Sequence, residues 1–237
     1  MQEVITAPTH IALDAPRFLS MKAKDAIYRY HIRRVTAKEW KAYYAGILSE
    51  TVQVAPSTVE RIYDEDVAGL QLVNDVLLVM AVRPNGEEHF ADRDLDAAKI
   101  PLRQRIGMSK LLASATSLSM VDAYGDEVEV KLSSLWSAPD GTMHLFETAH
   151  TFVQPGIEHV RKFRAGSANI RVGKRDGMTI NSFVAPELAS MAIYDDLIVC
   201  CSGYMANGAE LEGKEAIVRE MDGHHKAVAA RALFSLD

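Results

Sequence analysis

The chain has 237 residues, 48% hydrophobic and 24% charged, with a formal net charge of −6 and a pI near 5.8. That composition gives a globular protein with a sizeable core, in one large domain or two small ones, and no basic footprint for duplex nucleic acid or an anionic membrane. The two cysteines, adjacent as Cys200-Cys201, form no disulfide framework and fit a reducing compartment.

The first residues, Met1-Gln2-Glu3-Val4, lack the basic region and apolar run of a secretory signal. From Ala26 to Val35, Tyr28, Tyr30 and Ile32 alternate with Arg29, His31 and Arg33, which predicts a strand with one wet face. Thr36-Ala37-Lys38-Glu39 matches a capping box and opens a helix from about Ala37 to Ser49, with Trp40, Tyr43, Tyr44 and Ile47 at helical spacing. Ala55-Pro56-Ser57 breaks the pattern. The stretch Val67 to Val82, starting near Asp64 to Asp66, reads as an amphipathic helix with Leu72, Val73, Val76, Val79 and Met80 on one face. Asn74 and Asp75 interrupt it and argue against a membrane span. A turn at Asn85-Gly86 and a closing helix around 107–113 complete this half.

Val128–Leu132 and Met143–Phe146 flank Ser137-Ala138-Pro139-Asp140-Gly141, so a β-hairpin is predicted there. Asn169–Val172 and Met178–Phe183 form another pair of strands around the turn 174–177. Residues 189–201 then echo residues 68–80 at an offset of 121, with Asp195-Asp196 on Asn74-Asp75. The stretch Leu188 to Cys201 is read as a second amphipathic helix, whose stripe of Ile193, Tyr194, Leu197, Cys200 and Cys201 packs into the core. Asn207-Gly208 repeats the turn, and 223–229 repeats the closing helix 107–113. The resulting fold class is α+β, with two related units in tandem and the second richer in strands. The first unit covers 1–122, a β-hairpin connector packed on the second unit covers 123–154, and the second unit covers 155–237.

Chemical motifs are sparse. Asp92-Arg93-Asp94-Leu95-Asp96 opens like a calcium loop, but Ala97 and Arg103 stand where Gly and a bidentate Glu belong. Gly166 to Lys174 lacks the spacing of a phosphate loop, and the short zinc, hydrolase and redox signatures are absent. His224-His225 point about 100° apart on a helix, align with Met108-Ser109, and are expected in a capping or surface role. His144 and His150 share a strand face about 20 Å apart. Asp195-Asp196 are expected on a solvated face or in interhelix hydrogen bonds. No catalytic residue, cofactor or metal site is predicted. The interaction candidates are Trp40, Tyr43, Tyr44, Arg33, Arg34 and Trp136.

The run Ile32-Arg33-Arg34-Val35-Thr36, followed by Trp40, Tyr43-Tyr44, the Asn-Gly turn and the Lys110 closing helix, resembles uncharacterised proteins encoded in tailed-phage and prophage morphogenesis modules. That resemblance implies a virion tail or neck component, made in the cytoplasm and without catalytic residues. The expected function is therefore a non-enzymatic structural or assembly protein whose partners are other proteins or copies of itself, with no membrane and no nucleic acid. The alternative is a small-molecule-binding protein or enzyme with its site between the two units.

Overall fold

The structure is a computed structural model and describes residues 8–23, 26–47, 50–55, 58–62, 65–84, 89–91, 100–138, 142–167, 171–175, 178–182 and 186–234. The strand Ile11–Ala12 (β1) precedes a hairpin of Arg17–Ala23 (β2) and Ala26–Ile32 (β3). The helix Ala37–Gly46 (α1), the hairpin Glu50–Ala55 (β4) and Thr58–Ile62 (β5), and the helix Glu65–Val76 (α2) follow. Next come Leu77–Pro84 (β6), His89–Ala91 (β7) and the helix Leu102–Ser114 (α3). Beyond them lie Thr116–Tyr124 (β8), Glu127–Ser137 (β9), Met143–Val153 (β10) and Ile157–Ser167 (α4). Arg171–Arg175 (β11), Met178–Ser182 (β12), Pro186–Leu197 (α5) and Ile198–Ser202 (β13) continue the chain. It closes with Tyr204–Ala206 (β14), Ala209–Glu210 (β15), Lys214–Glu220 (α6) and Gly223–Ala232 (α7).

The strands form four sheets, ordered β2-β3-β6-β7, β13-β10-β9-β8, β11-β12-β4-β5 and β1-β14-β15, so the class is α+β. The succession β2-β3-α1-β4-β5-α2-β6 recurs as β9-β10-α4-β11-β12-α5-β13, and the pairing β2-β3-β6 recurs as β9-β10-β13. One contact recurs as well. A Cβ built on Gly46 would lie 2.9 Å from Cβ of Ala68, and one on Gly166 would lie 2.8 Å from Cβ of Ala189. In both helix pairs a glycine lets two backbones approach more closely than any larger residue would allow.

Local sequence explains most elements. The capping box at Thr36 and Glu39 forms, with Thr36 Oγ1 accepting from the Glu39 amide and the Glu39 carboxylate accepting from the Thr36 amide. Asn207 and Gly208 take φ of 53° and 78°, the two positive values that a two-residue reversal between β14 and β15 requires. Gly125, at φ 62°, turns β8 into β9.

Two expectations need correction. The helices read over 67–82 and 188–201 stop at Val76 and Leu197, and the chain continues directly as strands β6 and β13. Leu77-Leu78-Val79 and Ile198-Val199 favour a pleated surface, and β3 and β10 supply edges for them to pair with, which outweighs the helical reading of a short apolar run. Cys200 and Cys201 therefore lie on a strand, where Cys200 is exposed and only Cys201 is partly buried. The turns at Asn85-Gly86 and Pro139-Asp140-Gly141 and the segment Asp92–Asp96 lie outside the described residues. The expected boundary at 122/123 falls inside β8, and the 123–154 hairpin forms the centre of a four-stranded sheet. Strands β12 and β4 pair across the two halves.

Two core clusters result. One joins β9, β10, α5, α6 and α7 around Trp136, Phe152, Tyr194 and Tyr204. The other joins β2, β3, α1, α2 and α3 around Tyr30, Trp40, Val73 and Met108, and takes Met191 and Ala227 from the second half. Burial of Met191 and Ala227 in that cluster adds apolar cohesion between the halves, at about 25 cal/mol per Å² removed from water.

Candidate functional site

Helix α7 positions the site because both of its flanks are covered. Asp222 caps it, accepting from the amides of His224 at 2.8 Å and His225 at 3.3 Å, while its other oxygen accepts from the Trp40 indole N–H at 3.3 Å. The surface role expected for His224-His225 is corrected here: they are 7% and 1% exposed. Only the capping part of that reading holds, and it rests on their amides. Alignment with Met108 and Ser109 pointed inward all along, since those two are buried too.

His225 belongs to a polar chain through the second core. Its Nε2 lies 2.8 Å from Thr116 Oγ1, which accepts from Ser134 Oγ at 3.1 Å, and its Nδ1 lies 2.8 Å from the Tyr204 hydroxyl. That hydroxyl meets Thr148 Oγ1 at 2.8 Å and His150 Nε2 at 2.9 Å, and His150 Nδ1 meets the Tyr194 hydroxyl at 2.9 Å. Donors and acceptors run consistently in one direction, Ser134 to Thr116 to His225 to Tyr204 to His150 to Tyr194, with both imidazoles neutral and protonated on Nδ1. Burial enforces that neutrality. It pushes His150 down to about 3, with the repulsion that a protonated His225 would exert adding to the effect, and holds His225 well below its ordinary value. The same burial drives Tyr194 and Tyr204 upward. A satisfied, water-excluded chain of this kind rigidifies a core and fixes its register.

Lys226, 3% exposed, crosses to α5 and donates to Asp195 at 2.7 Å and to the Val218 carbonyl at 2.5 Å. Asp196 accepts from Lys162, so this acidic pair makes the interhelix bonds expected of it. Arg17 enters from β2, stacks 3.8 Å over the Trp136 ring and donates to the Leu135 carbonyl at 2.8 Å. Burial lowers its guanidinium to about 10, partly offset by the charge of Asp222.

Beside α7 opens a groove of about 450 Å³ between α1, β8 and α5. Tyr43, Tyr44 and Ile47 line one wall and His224, Val228 and Arg231 the other, with Leu118 of β8 at the mouth. The Tyr44 hydroxyl lies 2.5 Å from His224 Nδ1, and burial raises that phenol well above its usual range. Burial, then the nearby Glu65 carboxylate, pushes Tyr43 up to about 12, and burial lowers His224. Arg231 pairs with Glu187 at 2.8 Å on the rim.

Strand β8 is the outer edge of its sheet, with no strand beyond it among the described residues. Nine residues long, it contains neither proline nor a basic residue, and Leu118, Met120 and Tyr124 are 45%, 39% and 66% exposed. One bulge falls between Leu118 and Met120. Asp122, Asp126, Glu127 and Glu129 surround it, and Lys131 is occupied by Glu129 at 3.1 Å. Natural edge strands are usually blunted by charge, proline or a covering element; among the described residues β8 carries a bulge and Asp122 but no lysine, proline or covering strand.

Of the predicted interaction residues, Tyr43 and Tyr44 line the groove and none lies on β8. Trp40, Tyr43, Tyr44 and Trp136 are buried, with Trp40 stacked on His224 at 5.0 Å. Arg33 forks onto Glu39 and donates to the Asp75 carbonyl at 2.8 Å, while Arg34 pairs with Glu220 at 2.8 Å. All six make their contacts within the chain. His150, Tyr204, Lys226 and β8 itself were missed, although the alternation of Thr148, His150 and Phe152 marks the buried face of β10.

Among the described residues no helix is long and apolar enough to cross a membrane, and no group of three His, Cys, Asp or Glu is placed to hold a metal ion. No family model matches the chain, and neither a curated protein nor a solved structure matches it.

Proposed function

We propose that this protein is a structural or assembly component that acts through protein–protein contacts, beginning with copies of itself. The observation that carries this reading is β8, a nine-residue open edge with Leu118, Met120 and Tyr124 exposed. An unpaired row of backbone donors and acceptors beside apolar side chains is a template for strand addition. The titratable groups buried around α7 support the same reading, because His224, His225 and Lys226 make their hydrogen bonds to other groups of the chain. Recurrence of the element order and of the Gly46–Ala68 and Gly166–Ala189 contacts supports descent of the halves from one duplicated packing unit. The resemblance to tailed-phage morphogenesis proteins gives the role its setting, a virion tail or neck component.

Sedimentation velocity over a wide concentration range tests this. The wild-type chain is expected to self-associate and Met120→Lys to weaken association; a monomer at every concentration overturns the reading.

A second reading is favoured by the groove, where three groups with displaced pKa values, Tyr43, Tyr44 and His224, face one opening. It makes the protein a small-molecule binder with its site between the halves. Saturable binding of a small phenol or carboxylate by the wild type, lost in Tyr44→Phe, would favour it over assembly.

A further inference from the structure

We infer that the groove between α1, β8, α5 and α7 takes an amphipathic amine, an aromatic or aliphatic body carrying one protonated nitrogen. The inference rests on the second reading above, in which this groove holds a small molecule, and it names the chemical class of that molecule.

The walls select the body. Ile47, Leu118, Val228 and Ala232 give the lining its apolar surface, and Tyr43 and Tyr44 close it on the α1 side. At about 450 Å³ the space lies within the ordinary range of small-molecule sites and far exceeds what one bound water fills. Leu118, 45% exposed at the mouth, is an apolar side chain that an apolar occupant would cover.

The charges select the head group. Three charged side chains line the groove, Glu65, Glu187 and Arg231. Arg231 and Glu187 meet at 2.8 Å, so the guanidinium already faces a carboxylate. Asp66, beside Glu65 on the first turn of α2, is met by Lys110 at 3.3 Å. Glu65 pairs with no cation among the described residues; its carboxylate is approached by the Tyr43 hydroxyl at 3.5 Å. Glu65 and then Glu187 reinforce the burial that raises Tyr43, which puts both carboxylates within electrostatic reach of that phenol. One carboxylate in excess beside aromatic rings is complementary to an ammonium. The N-terminus of α2 opposes a cation with a partial charge of about half a unit, smaller than the full charge of the carboxylate and spread over several amides.

His224 adds a second polar contact. It lines the same groove at 7% exposure, its Nδ1 is held by Tyr44, and its Nε2 is buried with no partner at hydrogen-bonding geometry. An occupant bearing a hydroxyl would offer that nitrogen the partner it lacks.

Three probes test this. Tyramine, p-cresol and 4-hydroxyphenylacetate share a phenol and differ in the head group, which at neutral pH is a cation, absent or an anion. Their affinities for the full chain are measured by calorimetric or NMR titration. Tyramine is expected to bind about fivefold more tightly than p-cresol, the effect of a charge-assisted hydrogen bond discounted for the solvent exposure of Glu65, and 4-hydroxyphenylacetate more weakly than either. Glu65→Gln keeps an acceptor for Tyr43 and is expected to bring tyramine to the level of p-cresol while leaving p-cresol unchanged; circular dichroism and thermal melting establish that it is folded. Equal binding of tyramine and p-cresol, a tyramine advantage that survives Glu65→Gln, or preferred binding of 4-hydroxyphenylacetate overturns the amine assignment and leaves the groove as a small-molecule site. A chain that binds none of the three at millimolar concentration overturns both.

Discussion

Trp40 and Asp222, 182 residues apart, are joined by a hydrogen bond from the indole N–H to the carboxylate that caps α7. The bond ties the first helix of one half to the last helix of the other. Asp222→Ala removes a helix cap and leaves a buried indole donor unmatched, so a loss of about 2–3 kcal/mol is expected in urea unfolding. Asp222→Asn retains an acceptor and should lose less. A double-mutant cycle with Trp40→Phe should give a coupling near 1 kcal/mol.

The glycines at the helix crossings are needed for space. An alanine at Gly46 or Gly166 would set its Cβ 2.9 or 2.8 Å from the Cβ of Ala68 or Ala189. Either substitution should therefore destabilise by about 1–3 kcal/mol, although alanine is the better helix former. Pairing Gly46→Ala with Ala68→Gly, or Gly166→Ala with Ala189→Gly, should recover much of that loss. If the single variants melt at or above the wild-type temperature, the close approach is not a constraint.

Acid should unfold the protein through its interior imidazoles. The folded state keeps His150 neutral down to about 3, whereas the unfolded chain protonates it near 6.5, so unfolding takes up a proton between those values and stability falls with pH across that window. His225 and His224 are lowered in the same direction and add to the slope. Each such histidine contributes about 1.4 kcal/mol per pH unit. Stability measured from pH 7 to 4 should decline accordingly, and His150→Phe should reduce the slope by one proton even if it lowers stability at pH 7.

The adjacent thiols should differ in reactivity. Cys200 is exposed, while Cys201 is partly buried, its thiol lies 3.7 Å from the Leu211 carbonyl, and burial pushes it up to about 12. A disulfide-exchange reagent is expected to label one thiol quickly and the other only slowly. Cys200→Ser should abolish the fast phase; two equal fast phases would contradict the strand assignment of β13.

Legibility of the fold followed the range of the interactions involved. The Thr36 capping box, the Asn207-Gly208 reversal and the β9–β10 hairpin are written in neighbouring residues and were readable directly. The change from helix to strand at Val76 and Leu197 was not, because a short apolar run satisfies either period until a neighbouring edge selects one. The site was largely illegible. His224 and His225 look like surface polar residues until Tyr44, Thr116 and Tyr204, distant in sequence, arrive to pair with His224 Nδ1 and with both ring nitrogens of His225. Trp40 and Tyr43 look like an interaction face because aromatic residues at helical spacing do not say whether the chain's own second half will cover them. Exposure of β8 depends on strand order, which no local pattern encodes.

Amide hydrogen exchange across Thr116–Tyr124, followed as protein concentration rises through the association range, tests the central claim most directly. The β8 amides that face away from β9 should gain protection in step with assembly. Assembly that leaves exchange in β8 unchanged, or a chain that remains a monomer throughout, would contradict the account.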